Sequence, residues 1–202
     1  MAISLVKGQK ISLEKESGKP LSSIFLGLNW GAIEKKTLFG TGKVSVDLDG
    51  SCATFDENGN RLDVIYFGNL KSKDGSIQHS GDDLTGDTDG DDGIDNEIIG
   101  VDLSRLNSSV SQIVFVLNSF KGQDFATIPF ARIRIFEGSF KSPTNIIASF
   151  DIANDPKFAG FVSMIMGKLY KKNGEWKFSA IGEPTKDKKL QETIETIQSS
   201  YL

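Results

Sequence analysis

The stretch G-K-L-Y-K-K-N-G-E-W-K-F-S-A-I-G at residues 167–182 predicts a β-hairpin. Asn173 and Gly174 lie at its centre, and Asn-Gly is the pair that best adopts the left-handed backbone of a two-residue hairpin turn. Apolar and aromatic residues lie on both sides of this turn, over residues 161–170 and 176–181. The C-terminal third of the chain therefore predicts two adjacent antiparallel strands.

Short strands of the same kind recur on the N-terminal side of this hairpin. Alternating apolar residues occur at Ile24, Leu26 and Leu28 and at Val44, Val46 and Leu48, and further candidates are residues 62–67, 98–103, 112–118, 131–136 and 146–152. Many short strands separated by Gly, Asn and Asp turns favour an antiparallel β-sandwich over βαβ units. We therefore predict an all-β fold.

Only the C-terminal tail predicts a helix longer than a turn. The apolar residues of its one helical face are Leu190, Ile194, Ile197 and Tyr201. They follow the breaker Pro184 and the candidate cap Thr185. We predict a β-sandwich domain over residues 1–184 and an amphipathic C-terminal helix or tail over residues 185–202, which suits the chain length of 202 residues.

The most acidic stretch, at residues 81–97, reads G-D-D-L-T-G-D-T-D-G-D-D-G-I-D-N-E and holds eight acidic side chains without any Lys or Arg. Carboxylates about 4 Å apart repel one another by roughly 1 kcal/mol in water and by more near a protein surface. An ordered loop of this composition needs a cation, and its carboxylate oxygens favour Ca²⁺ over Zn²⁺ or Cu²⁺. The stretch therefore predicts a calcium site, with a solvated or disordered acidic loop as the alternative.

The spacing of these acids does not match an EF-hand. If Asp87 takes the first position of the twelve-residue loop, Asp92 falls where glycine is needed, and Ile98 falls where the bidentate glutamate is needed. The residues on both sides of the stretch also predict strands rather than helices. Any calcium site here must therefore use a different framework.

A second acidic pair lies in K-V-S-V-D-L-D-G-S at residues 43–51. The period-two alternation of a strand predicts Val44, Val46 and Leu48 on the core face, with Asp47 and Asp49 together on the opposite face. Two solvent-facing acids are usual on a half-exposed strand. Acids that precede a Gly-Ser turn equally suit the far side of an ion site, and the local sequence does not separate the two readings.

Three motifs occur in order along the chain: V-D-L-D-G-S at 46–51, G-D-D-L-T-G-D-T-D-G-D-D at 81–92 and G-E-W-K-F at 174–178. With these motifs, and with further matching pieces from residue 3 to residue 182, the chain resembles the TerD family of tellurium-resistance and stress proteins. Within that family it is most similar to the TerZ-like branch. The segment Gly93–Asn96 departs from the shorter TerD-like pattern, in which Glu directly follows G-D-D, and it makes Asp95 and Asn96 alternative ligands.

The resemblance implies a calcium-binding β-sandwich that holds two neighbouring Ca²⁺ ions and is not an enzyme. Carried over by motif, the metal ligands are Asp47, Asp49, Asp82, Thr85 (side chain or carbonyl), Asp89, Asp91, Asp92 and Glu97. The resemblance also implies a cytoplasmic protein that works with other proteins of the same stress operons, including membrane-associated ones. Such a protein can lie peripherally at the inner membrane face.

Several functional classes receive little support from the residues. The single cysteine, Cys52, allows no internal disulfide and predicts a core residue. No apolar run approaches the roughly 18 residues of a membrane span. Lysines near the hairpin, such as Lys168 and Lys177, lack interleaved exposed aromatics, so we expect no nucleic-acid partner. The single His79 lies beside the acidic stretch and predicts a structural role. The alternative function is a calcium-dependent binder of an anionic small molecule or nucleotide.

Overall fold

The computed structural model describes residues 3–4, 8–14, 18–37, 40–152 and 155–202. In chain order its strands are β1 (Ile3–Ser4), β2 (Lys10–Ser12), β3 (Ser23–Trp30), β4 (Ile33–Thr37), β5 (Gly40–Val44), β6 (Leu48–Phe55), β7 (Arg61–Ile65), β8 (Ile77–His79), β9 (Glu97–Asp102), β10 (Gln112–Ser119), β11 (Ala131–Ser139), β12 (Ser142–Asp151), β13 (Ser163–Lys172) and β14 (Glu175–Thr185). One helix, α1 (Leu190–Ser200), and two 3₁₀ turns at Phe125–Thr127 and Pro156–Phe158 complete the described chain.

The strands form two six-stranded sheets and one separate ribbon of β4 and β5. The first sheet has the order β1-β12-β11-β3-β9-β8, and the second has the order β2-β14-β13-β10-β6-β7. Among the paired strands of the described chain, only β1 and β12 run parallel; the others are antiparallel. The predicted antiparallel β-rich fold is confirmed.

The main apolar core lies between the two sheets. It joins residues of the first sheet, such as Leu26 and Ile135, to residues of the second sheet, such as Phe115 and Leu169. Cys52 is fully buried in this core, as the sequence predicts, and burial raises the pKa of its thiol well above the ordinary value. The lone cysteine is therefore a packing residue in this fold.

The predicted hairpin is confirmed. β13 and β14 pair from Lys172 and Glu175 onwards, and Asn173 and Gly174 between them have φ angles of 54° and 81°. Positive φ at both central residues is what a type I′ hairpin turn requires. The other predicted strands are present too, except the one over residues 44–48, and β11, β12 and β14 extend beyond the predicted bounds.

The predicted strand over residues 44–48 is wrong in its continuity. β5 ends at Val44 and β6 begins at Leu48, so the intervening residues belong to neither strand. Val44 is 41 % exposed rather than on the core face, whereas Asp47 and Asp49 are buried. The acids are buried because the acidic stretch folds across the beginning of β6, a contact that strand periodicity does not show.

The C-terminal helix is present, but it begins later than the candidate cap Thr185. β14 continues through Pro184 to Thr185, and α1 begins at Leu190 without a side-chain cap. Pro184 pairs with Met164 of β13 on one side, while β2 pairs with β14 only at residues 177–179, so Pro184 lies where β14 has a strand neighbour on one side only, a position that suits proline. The division of the chain at residue 184 into a domain and a tail stays a prediction.

The helix covers the outer face of the second sheet. Ile194 and Ile197 of α1 are buried with Phe55, Val114 and Ile165 in a second apolar cluster. Strands β6, β10 and β13 are thus buried on both faces, the inner face by the first sheet and the outer face by the helix. This double burial fixes β6 firmly, and the acids at its beginning are held with it.

Candidate metal centre

Two acidic side chains stand at the beginning of β6. Asp47 directly precedes the strand and Asp49 is its second residue. The backbone N–H of Val46 donates to the carbonyl of Thr85 at 3.1 Å, which brings the acidic stretch to this point. A carboxylate oxygen of Asp82 thereby joins those of Asp47 and Asp49, and the three oxygens lie within 4.8 Å of one another. We call these three residues the acid cluster.

Asp47 is only 2 % exposed, yet few protein groups donate a hydrogen bond or a positive charge to its carboxylate. The ammonium of Lys121, a half-exposed side chain, lies 3.2 Å from Oδ2. The other oxygen, Oδ1, is buried and has no hydrogen-bond partner in the described part of the chain. A buried carboxylate oxygen without a donor is costly, and a bound cation relieves that cost.

Glu97 and His79 form a fully buried support beneath the acid cluster. Oε2 of Glu97 accepts the N–H of Gly50 at 2.8 Å and lies 3.4 Å from Nε2 of His79. Nδ1 of His79 accepts the N–H of Gly81 at 3.0 Å, so the proton of the neutral ring is on Nε2, which donates to the carbonyl of Gly50 at 3.0 Å. These contacts fix the backbone next to Asp49.

The acid cluster carries more negative charge than the neighbouring basic groups neutralise. Burial, followed by the charges of Glu97, Asp47 and Asp82, raises the pKa of Asp49 to about 7. Burial also raises the pKa of Glu97 and of Asp82. Burial lowers the pKa of His79, but its contacts with Glu97, the carbonyl of Gly50 and the charge of Asp49 together outweigh burial and raise that pKa above the ordinary value. A divalent cation would favour the ionised form of each of these carboxyl groups.

A second acidic region surrounds a cavity of about 380 Å³, which we call the outer pocket; its acidic and amide side chains are Asp83, Asp87, Asp89, Asp92, Asp95 and Asn96. The amide of Asn96 donates to Asp87 Oδ1 at 3.0 Å and to Asp83 Oδ2 at 3.3 Å. The amide of Asn29 donates to Asp87 Oδ2 at 3.3 Å. Burial raises the pKa of Asp83, but hydrogen bonds from Thr85, Gly86 and Asn96 outweigh burial and hold it below the ordinary value.

Two arginines of β11 compensate further carboxylates of the same loop. Arg134 pairs with Asp95, with its Nη2 at 2.8 Å and its Nε at 2.9 Å from Oδ1. Arg132 lies 3.4 Å from Oδ2 of Asp91. Gly27 of β3 leaves room for this arrangement, because a Cβ there would meet the carboxylate of Asp95 at 2.1 Å. Two of the eight acidic side chains of the loop are thus compensated by basic residues distant in sequence.

The eight sequence-predicted ligands therefore separate into groups. Asp47, Asp49 and Asp82 come together in the acid cluster, and Glu97 lies close enough to Asp49 to act on its pKa. The hydroxyl of Thr85 bonds to Asp83, while its carbonyl is used by Val46. The remaining three are not in the acid cluster: Asp89 and Asp92 line the outer pocket, and Asp91 pairs with Arg132.

Sequence reasoning named Asn96 as an alternative ligand, but it missed Asn29 and the two arginines that organise the outer pocket. Asp83 carried a local signal, because its spacing to Thr85 suits a side chain that accepts from the backbone two residues on. The strands β3 and β11, which are far from the acidic stretch in sequence, carry Asn29, Arg132 and Arg134. No local sequence pattern predicts the contacts of these residues with the stretch. Their roles depend on strand pairing in the first sheet.

A family model described as TerD domain matches residues 1–196. The chain belongs to the TerD family. Tellurium resistance protein TerZ of Serratia marcescens is 36% identical over 203 residues, with 99% of each chain covered. Stress response protein SCP2 of Bacillus subtilis (strain 168) is 39% identical over 207 residues, with 96% of this chain and 98% of the relative covered.

The fold of this TerD-family chain also matches a solved structure. The crystal structure of a homologue of telluride resistance protein (TerD) from Streptomyces coelicolor A3(2) superposes with a TM-score of 0.68 at 16% identity, covering 87% of this chain and 97% of the other. At this identity the likeness concerns the fold alone. No helix in the described ranges is long and apolar enough to cross a bilayer.

Proposed function

We propose that this TerD-family protein binds Ca²⁺ at the acid cluster, with carboxylate oxygens of Asp47, Asp49 and Asp82 as ligands. The observation that carries this proposal is the buried, unpartnered Oδ1 of Asp47 beside two further carboxylates. A group of carboxylate oxygens suits a hard cation, whereas Zn²⁺ prefers nitrogen and sulfur ligands. Glu97 acts as a buried support, because its oxygens hold backbone N–H groups on both sides of the cluster.

Bound calcium would supply the positive charge that the acid cluster lacks. Calcium binding would also order the acidic stretch, because Asp82 belongs to that stretch. Glu97 accepts the N–H of Gly50 in β6 at 2.8 Å, and the N–H of Val46, just before β6, donates to the carbonyl of Thr85 at 3.1 Å. An ion that ties Asp82 to Asp47 therefore fastens the stretch to β6 at a third point. Because the unfolded chain lacks this site, calcium would stabilise the fold by mass action.

The second of the two predicted ions belongs in the outer pocket. Its ligands there would be Asp83, Asp87, Asp89 and Asp92, which line the cavity. Asp83, Asp87 and Asp92 already accept hydrogen bonds from amide or backbone N–H groups, so we expect weaker binding than at the acid cluster. Asp91 takes part only if it leaves Arg132.

The biological role that we propose is tellurite resistance and general chemical stress response. The support is membership of the TerD family, in which two relatives of this chain are named tellurium resistance protein and stress response protein. The protein would act through calcium-dependent ordering of the acidic stretch and through binding of other stress-operon proteins. A cytoplasmic location, a position at the inner membrane face and the absence of catalysis belong to the same proposal.

A second candidate function is calcium-dependent binding of an anionic small molecule or nucleotide. The specific observation in its favour is that Asp82 is exposed, so that one side of the acid cluster faces solvent. An ion held there would have room for an oxygen of a ligand. Titration of the calcium-loaded protein with inorganic phosphate or with a nucleotide tests this, and no heat beyond dilution would reject it.

Calorimetric titration of chelator-stripped protein with Ca²⁺, with Mg²⁺ as the control ion, tests the main proposal. We expect Asp47→Asn and Asp49→Asn to weaken the tighter site by about a hundredfold or more, because each removes a charged ligand. The matched control is Asp91→Asn, which removes one charge from the same loop and should change that affinity by less than about threefold. Absence of binding by the unaltered protein, or equal losses in all three variants, would reject the proposal.

A further inference from the structure

Strand register places two lysines of the second sheet in one row on its outer face. Lys168 of β13 lies opposite Val114 of β10 and opposite Ser179 of β14. Ser179 in turn lies opposite Lys10 of β2. Opposite residues of neighbouring strands carry their side chains on the same face of a sheet. Since Val114 belongs to the apolar cluster beneath α1, the whole row lies on that outer face.

A cavity of about 530 Å³ lies at this row, and we call it the lysine pocket. Its charged and hydroxyl-bearing lining includes Lys10, Lys168, Lys171, Tyr170, Ser179 and Glu57. Three lysines thus meet a single carboxylate, and the side chain of Glu57 is exposed to solvent. The pocket therefore has a net positive charge, and its volume is in the range that holds small molecules.

Several donors of the lysine pocket have no acceptor among the residues that the structure describes. Lys10 makes no ion pair and no side-chain hydrogen bond there, and the hydroxyls of Tyr170 and Ser179 have no partner either. The ammonium of Lys171 lies over the ring of Trp176, 5.1 Å from its centroid, rather than beside a carboxylate. A cavity with many donors and few acceptors suits an anion.

Lys168 is held in position without being neutralised. Its ammonium donates to Oε1 of Gln112 at 2.7 Å and to the carbonyl of Tyr201, just beyond α1, at 2.6 Å. Both acceptors are uncharged, and an ammonium has three N–H donors, so one is left. Burial, followed by the charge of Lys10, lowers the pKa of Lys168. An anion would therefore meet a positive charge that is already fixed in place.

We propose that the lysine pocket binds a phosphate group, either of a free phosphate ion or of a phosphorylated small molecule. Such a group carries close to two negative charges near pH 7 and offers several acceptor oxygens. Lys10 and Lys168 lie on both sides of Ser179, so two ammonium groups and a hydroxyl can converge on one group. The donors share one cavity and do not form a stripe along the surface, which disfavours a nucleic acid.

This phosphate site is separate from the acid cluster. The two lie at opposite ends of β10, because Asn118 lies opposite Asp49 whereas Gln112, which lines the lysine pocket, lies opposite Phe55. Six residues of strand correspond to about 20 Å. An ion at the acid cluster cannot bridge to a ligand in the lysine pocket, so the site needs no calcium.

NMR spectroscopy of ¹⁵N-labelled protein in the presence of a chelator tests the proposal. Ribose 5-phosphate, inorganic phosphate and ribose are titrated separately at constant pH and ionic strength. We expect saturable shifts of the backbone amide signals of Lys10, Lys168 and Ser179 with both phosphates and none with ribose. Tighter binding of ribose 5-phosphate would identify a phosphorylated small molecule as the ligand, and equal or tighter binding of inorganic phosphate would identify the free ion.

Lysine variants show whether the pocket itself binds the phosphate. Lys10→Met together with Lys168→Met should weaken phosphate binding by about tenfold or more, because two charged donors are removed. Lys10→Met alone should weaken it less, and Lys10 has no side-chain contact to lose, so this loss would not come from misfolding. Unchanged melting temperatures check the fold of every variant.

Lys177→Met is the matched control. Lys177 lies on the same face, two residues from Ser179 in β14, but its ammonium lies 3.6 Å from Oε2 of Glu175 and outside the lining of the lysine pocket. Its loss should change phosphate affinity by less than about threefold. Asp49→Asn, which alters the acid cluster, should leave phosphate binding unchanged.

Three results would overturn the lysine pocket. The first is the absence of saturable shifts with either phosphate. The second is a loss of affinity in Lys177→Met equal to that in the double variant, which would indicate attraction by the overall charge of the face. The third is binding that requires Ca²⁺ and disappears in Asp49→Asn, which would support the calcium-dependent ligand site at the acid cluster instead.

Discussion

The acid cluster and the outer pocket both use carboxylates of the acidic stretch, the cluster only Asp82, yet the protein supplies these two groups of carboxylates with very different numbers of donors. In the outer pocket, Asp87 receives amide donors and Asp95 receives an arginine. In the acid cluster, Asp47 has one lysine and an oxygen without a partner, and the pKa of Asp49 is raised to about 7. The number of acids in a loop therefore does not by itself identify the tighter of the two proposed calcium sites; the absence of protein donors does.

The largest effect that separates the two regions should follow from removing the arginine of the outer pocket. Arg134→Met would leave the carboxylate of Asp95, whose side chain is 1 % exposed, without its partner. We expect the free energy of unfolding, measured with urea in the presence of a chelator, to fall by about 3 kcal/mol. Calcium affinity at the acid cluster should change little, because that cluster does not use Arg134.

Arg132→Met is the control for this prediction. Arg132 lies two residues away on the same strand and pairs with Asp91 and Asp151, but its side chain is 37 % exposed. The loss there should be below about 1 kcal/mol, as for other exposed ion pairs. Equal losses in the two variants would mean that burial does not distinguish the two arginines.

The next effect concerns the buried support of the acid cluster. Glu97→Ala leaves the N–H groups of Gly50 and Asp83 without an acceptor, and we expect the free energy of unfolding to fall by about 2 kcal/mol. Glu97→Gln keeps an acceptor oxygen and removes a repelling charge, so its loss should be smaller. Denaturation of both variants without calcium checks this, and an equal loss would mean that the acceptor oxygen at residue 97 does not account for the effect.

The fold could be predicted from the sequence far better than the contacts that the carboxylates of the site make with the rest of the protein. The hairpin at Asn173 and Gly174 depends on local turn chemistry, and the β-rich class depends on periodicity, so both were predictable. The acid pair of Asp47 and Asp49 was identified as a candidate, but its burial was not. Burial there depends on the contact of Val46 with Thr85, which joins distant segments. Asn29 and Arg134 were missed for the same reason.

A smaller effect should appear in the pH dependence of the calcium-free protein. The folded pKa of Asp49, about 7, lies above its unfolded value of about 3.9, so the folded state binds more protons between these pH values. Stability should therefore rise by about 1 to 2 kcal/mol as pH falls from about 7 to about 4. The raised pKa values of Asp82 and Glu97 act in the same direction, and the lowered pKa of Asp74 opposes it.

Asp49→Asn separates this contribution from the others. In chelator the variant should be more stable than the unaltered protein above pH 7, and the two should converge near pH 4. Saturating calcium should remove the rise in the unaltered protein, because the bound ion favours the carboxylate. Thermal unfolding across this pH range measures both, and a slope that persists in Asp49→Asn would assign it to other groups.

The smallest effect should come from the single lysine of the acid cluster, in contrast to the buried arginine of the outer pocket. Lys121→Met removes an ammonium that is half-exposed, so the calcium-free protein should lose less than about 1 kcal/mol. Calcium affinity should rise by about threefold, because no ammonium then competes for Oδ2 of Asp47. Lys43→Met is the control, since Lys43 contacts the carbonyl of Thr88 beside the outer pocket and should leave the tighter site unchanged. Weaker calcium binding in Lys121→Met would show instead that Lys121 positions Asp47 for the ion. The acid cluster would then depend on a basic side chain, as the outer pocket does, and the contrast between the two regions would be smaller.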